Sequence, residues 1–135
     1  MRQSKLELAV LPAIAAVSDG TATLVGQQPE YFAGQTDPEE LNPIGFFLLS
    51  MSPQLFGWTL AAWVVVLILF VRFAPYRLAA WGSLVVTGLH VFGVATWLIR
   101  VPYGLLWVVL LGCLFRFVVY PRYQPNFRLD HVTRS

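Results

Sequence analysis

Two side chains in this sequence can exchange protons from within otherwise apolar stretches: Asp19 and His90. An ionisable group in hydrocarbon costs roughly 2.5–3.5 kcal/mol on insertion scales, so it turns towards a partner or a water-filled cavity. An Asp–His pair would share a proton or hold the imidazole in one tautomer, and its protonation steps would belong to the pair. The plainer alternatives are a His90 that bonds only Thr87 or a backbone carbonyl, and an Asp19 that caps a helix near the surface. Glu40 and Asn42, just before Pro43, form a second candidate group. Asn42 has a ready explanation as the cap of a helix with proline at its first position.

The elements that must position these groups are membrane spans. The chain is 57% hydrophobic and 12% charged with a mean hydropathy of +0.65, whereas about a quarter of residues are charged in soluble domains. No Lys, Arg, Asp or Glu lies between Glu40 and Arg72, between Arg77 and Arg100, or between Arg100 and Arg116. A span needs roughly 20 mainly apolar residues at 1.5 Å rise. The expectation is therefore an all-α, polytopic four-helix transmembrane bundle, with spans at 6–26, 53–71, 78–98 and 101–119. An outer loop over 27–41, an interfacial helix over 43–50 and a tail over 121–135 complete it. The first segment has an alternative reading as a signal peptide, with Arg2 and Lys5 before an apolar run and Ala16-Val17-Ser18 as cleavage site, which would leave three spans. Glu7 and Pro12 interrupt that run.

Charge sets the orientation. Of nine Lys and Arg residues, all but Arg100 fall on one side of this arrangement, while the outer loop holds Glu30, Asp37, Glu39 and Glu40. Cytoplasmic loops carry the basic excess, so both termini are expected in the cytoplasm. The formal charge of +2 follows from arginines facing lipid headgroups and requires no nucleic-acid partner. Tight turns at Phe73–Arg77 and Arg100–Tyr103 predict antiparallel neighbours. Trp58 and Trp97 are expected in the outer aromatic belt, and Tyr76, Trp81, Tyr120 and Tyr123 in the inner one.

On the first span Leu8, Pro12, Ala15, Asp19, Thr23 and Gly26 share a face of mostly small or polar residues, suited to close helix packing. On the third, Ser83, Thr87 and His90 form a second polar stripe. Asp19 lies 13 residues into its span and His90 12 into its own, which places both at about 18–20 Å depth. They are level and can meet. His90 and His131 are far apart and the single Cys113 has no partner in the chain, so no metal site is expected, and no cofactor.

The run Asp19-Gly20-Thr21-Ala22-Thr23 with Gly26, then Glu40-Leu41-Asn42-Pro43 and a hydrophobic span, resembles a family of small prokaryotic multi-pass membrane proteins of unknown function. Those proteins carry an Asp-x-x-x-Thr-x-x-Gly first helix and a Glu-x-Asn-Pro motif. The resemblance implies an uncleaved first span and one recurring constellation of Asp19, Thr23, Glu40, Asn42 and Pro43, and together with the topology it implies the inner membrane of a prokaryote. It implies no activity.

Three functional classes fit. The first is a non-enzymatic accessory or assembly protein, partnered by the bilayer and by a second copy or another membrane protein. The second is a proton- or cation-coupled small-molecule transporter using Asp19 with His90. An intramembrane hydrolase ranks last, because no nucleophile or oxyanion donors accompany the pair.

Overall fold

Helix-start chemistry sets the element boundaries. The computed structural model describes residues 5–120, all of it helices and turns. The expected tail over 121–135, with Arg122, Tyr123, Arg128, His131 and Arg134, lies outside the described residues, as does Arg2. In order come α1 (Lys5–Val25), α2 (Pro29–Phe32), α3 (Pro43–Met51), α4 (Pro53–Phe73), α5 (Tyr76–Leu98) and α6 (Gly104–Leu114), which runs on as a π-helical turn, Phe115–Val119. Pro43 and Pro53 each stand at a helix start, where the missing N–H costs nothing. The side chains of Asn42 and Ser52 accept from the backbone N–H groups of Ile44 and Leu55, at 3.0 and 2.9 Å.

Three helices, α1, α4 and α5, are long and apolar enough to cross a membrane. The fourth expected span, Val101–Val119, is shorter in the structure. Its first three residues are taken by a turn, in which Tyr103 adopts a left-handed φ of 59°. A Cβ at the following residue, Gly104, would collide with the Leu98 carbonyl and the Ile99 backbone, so only glycine fits there. From Gly104 the helix continues through the π-helical turn to Val119, the end of the expected span, with Gly104–Phe117 as its apolar stretch. Of the four expected spans, α1, α4 and α5 pack on one another, and α6 lies beside α5.

α1 lies against both α4 and α5. It runs parallel to α5, since Asp19 meets His90 and Thr23 meets Trp97, and antiparallel to α4, since Lys5 meets the α4 C-terminus. The buried face of α1 is Leu8, Ala9, Pro12, Ala15, Ala16, Gly20 and Thr23. Near the basic end Leu8 and Ala9 pack with Val71, Ala79 and Ala80, small residues that let backbones approach closely. Lys5 fastens this end by donating from Nζ to the carbonyls of Arg72 (3.0 Å) and Ala74 (2.9 Å). Those carbonyls lack helical partners and sit at the negative end of the α4 dipole.

At the opposite end, buried Gln27 donates to the carbonyls of Thr23 and Glu39, and its Oε1 accepts from the Glu39 N–H at 2.8 Å. The 27–41 segment is thereby folded back on α1. It contains the short α2, whose Tyr31 hydroxyl donates to the Leu49 carbonyl of α3 at 2.8 Å. Burial raises the pKa of this hydroxyl from its ordinary 10.0. The outward surface of α4 is apolar and exposed, including Trp58, Val65, Val66, Ile68 and Leu69.

Candidate functional site

The site begins with a glycine. At Gly93 of α5 an added Cβ would fall onto the Asp19 carboxylate, so the absence of a side chain there opens the space the acid occupies. One turn earlier on α5, His90 presents Nδ1 to Asp19 Oδ2 at 2.8 Å. Both side chains are about one-fifth exposed, 20% for His90 and 21% for Asp19, so water does not fully surround the pair. Asp19 therefore sits between helices and does not serve as a surface cap.

The other imidazole nitrogen is also engaged. Trp63 of α4 donates its indole N–H to His90 Nε2 at 3.1 Å. An indole nitrogen is only a donor, so Nε2 is the acceptor and the ring proton of neutral His90 resides on Nδ1, from which it is donated to Asp19. Trp63, His90 and Asp19 form one directed chain of hydrogen bonds across α4, α5 and α1. The mechanical sense of this arrangement is a tie between three helices. Its chemical sense is an imidazole held in one tautomer by a carboxylate.

A second interhelical bond lies one turn closer to the loop. Trp97 donates its indole N–H to Thr23 Oγ1 at 3.1 Å, with both residues buried. Trp97 is thus a packing residue, not the outer-belt anchor its position suggests, and Gly26 gives its ring room. The guanidinium of Arg100 stacks over the Trp97 ring at 4.3 Å and pairs with Glu39 Oε2 at 2.7 Å. The one basic residue that departs from the charge asymmetry is therefore held against the acidic loop.

No family model, curated protein or solved structure matches this chain.

Glu40 and Asn42 stand apart from the Asp19–His90 pair. Glu40 Oε1 accepts from the Asn42 N–H at 2.7 Å, Asn42 caps α3, and Gly45 leaves space for the Glu40 side chain. Both residues are accounted for by the start of α3, and no hydrogen bond joins them to Asp19, Thr23 or His90 among the described residues. The hydroxyls near His90 are likewise engaged elsewhere or enclosed. Thr87 donates to the Ser83 carbonyl at 2.6 Å, and Ser83 is buried. Among the described residues no three His, Cys, Asp or Glu side chains converge as a metal set.

Sequence reasoning missed Trp63, although a signal for it exists. Trp63 is ten residues from each end of α4, far from the interfaces where tryptophan concentrates. An indole at that depth needs an acceptor, and His90 is the polar side chain at matching depth on α5.

Proposed function

We propose that this chain is a small integral membrane protein with a non-enzymatic role in assembly or support of a membrane complex. On this reading α1, α4 and α5 cross the cytoplasmic membrane of a prokaryote, the termini lie inside and the acidic loop outside, and the bilayer is the principal partner. The single observation that supports it is where the intramembrane polar groups point. The Trp63–His90–Asp19 chain and the Trp97–Thr23 bond both join helix to helix. Such bonds fasten helices in a solvent where apolar contact alone gives no preference for protein over lipid. The resemblance to small multi-pass proteins of unknown function is part of the same proposal.

One observation favours a second reading. Asp19 and His90 are in contact yet retain partial exposure, so the pair can also serve as the proton-binding group of a coupled transporter. Proton flux into liposomes carrying the purified protein separates the two. The accessory reading expects no flux above protein-free vesicles, in the unsubstituted chain or in His90→Ala. Flux that disappears in both Asp19→Asn and His90→Ala would replace it with transport. The orientation has its own check: an introduced cysteine at Gln35 should be labelled from outside and one at Tyr76 from inside.

A further inference from the structure

We propose that His90 is a proton-operated latch on α4: neutral, it holds Trp63 at Nε2 and Asp19 at Nδ1; protonated, it keeps Asp19 and releases Trp63. The inference rests on reading Asp19 and His90 as a fastening pair and adds a regulatory property to it. Its basis is the donor inventory. Protonation of neutral His90 can occur only at Nε2, the nitrogen already occupied by the Trp63 N–H. Two N–H groups would then face each other across 3.1 Å, while the bond to Asp19 becomes charge-assisted and strengthens. One proton thus breaks the α4 contact and tightens the α1 contact.

The surroundings confine the effect to this ring. From α1 the ionisable group facing His90 is Asp19. From α4 it is faced by Trp63, which does not titrate, and α6 reaches α5 nearby through Phe115, beside Gly88. Along α5 itself no Lys, Arg, Asp or Glu occurs between Arg77 and Arg100. The rest of α4 shows what would move. Trp63–His90 is a side-chain hydrogen bond between α4 and α5 at the middle of α4, and the Lys5 bonds hold the far end of α4. Apolar contacts lie on both sides of Trp63: Leu60 with Gly20 towards Pro53, and Phe70 with Gly82 towards the Lys5 end. Release of Trp63 leaves α4 anchored by hydrogen bonds at its Lys5 end and held at its Pro53 end by apolar contact and its junction with α3, so the Pro53 half becomes the looser one against α5.

The test uses the full chain in nanodiscs, with nitrogen NMR of the His90 ring and the Trp63 indole across a pH titration. Spin labels at Thr59→Cys and Phe92→Cys, in a Cys113→Ser background, report the α4–α5 distance. The latch predicts an Nδ1–H tautomer at high pH. It also predicts a Trp63 indole resonance that moves with the same midpoint as His90, and a Thr59–Phe92 distance that lengthens or broadens on acidification. Trp63→Phe, which removes a bond made only to the neutral ring, should raise the proton affinity of His90 about two- to tenfold. A Trp63 resonance indifferent to His90 titration, an Nε2–H tautomer, or an unchanged affinity in Trp63→Phe would overturn the latch while leaving the Asp19 pairing intact. A His90 titration that ignores Asp19→Asn would instead remove the pair on which both readings stand.

Discussion

The two halves of the bundle are fastened by different means. Towards the basic end, α1 meets its neighbours through Leu8, Ala9, Ala79, Ala80 and Val71, with Lys5 closing the α4 terminus. Towards the acidic loop, the contacts include directed bonds: Asp19 with His90, His90 with Trp63, Thr23 with Trp97. Close packing of small side chains is indifferent to pH and intolerant of added volume. Hydrogen bonds through an ionisable pair also respond to protonation. The division gives the Asp19–His90 half a pH-dependent fastening that the Leu8–Ala80 cluster lacks.

The sharpest way to break the contrast is to put volume into the hydrogen-bonded half. Gly93→Val would drive a side chain onto the Asp19 carboxylate; we expect a loss of about 3 kcal/mol or more, from overpacking plus a separated pair, measured by reversible unfolding in mixed micelles. In the small-residue half, Ala80→Leu should cost about 1–3 kcal/mol by overpacking alone. Its His90 titration should match that of the unsubstituted chain, and a shifted titration would show that the halves are coupled. A double-mutant cycle between Asp19→Asn and His90→Gln should give an interaction of about 1–2 kcal/mol, the upper part of the range for interhelical bonds in membranes. Thr23→Val should cost less, about 0.5–1 kcal/mol, since it removes one neutral acceptor from Trp97.

The smallest effect lies outside both halves, at Tyr31. Burial raises its hydroxyl above the ordinary 10.0, so the folded state holds that proton more tightly than the unfolded chain does. The contribution is intact below pH 10.0 and is lost as pH rises through the higher folded value. Stability should therefore decline in that alkaline window, in step with phenolate absorbance. Tyr31→Phe should abolish this part of the decline and leave the profile at neutral pH unchanged.

What was legible in the sequence depended on whether one helix sufficed to see it. The caps at Asn42 and Ser52 are local chemistry, and α3 and α4 begin where proline spacing puts them. The equal depth of Asp19 and His90 follows from a fixed helical rise, so their meeting was foreseeable from two starting points and a count. Trp63 was hidden because α4 is apolar all round: with no polar stripe, nothing in the helix indicates which face meets α5. The Arg100–Glu39 pair needs the loop to fold back, and that return is made by Gln27 bonding to the Glu39 backbone. The turn at the start of the last expected span was invisible for another reason. Val101–Val119 is almost uninterrupted in hydropathy, and the turn that consumes its start depends on the conformation of Tyr103, which hydropathy does not encode.

The separation of 71 positions in sequence between Asp19 and His90 has a meaning in time as well as in space. At about 5–20 residues per second of synthesis, the acid of α1 is made roughly 4 to 14 s before its imidazole partner. On the proposed topology the ribosome delivers α1, then α4 with the Trp63 indole, and only afterwards the ring that joins them. Throughout that interval the nascent chain must carry its carboxyl in a protonated form, near the membrane surface, or against the insertion machinery. Biogenesis, more than the finished fold, is then the stage at which Asp19 is most demanding, and site-directed crosslinking of arrested chains just before and just after α5 emerges would reveal the hand-over.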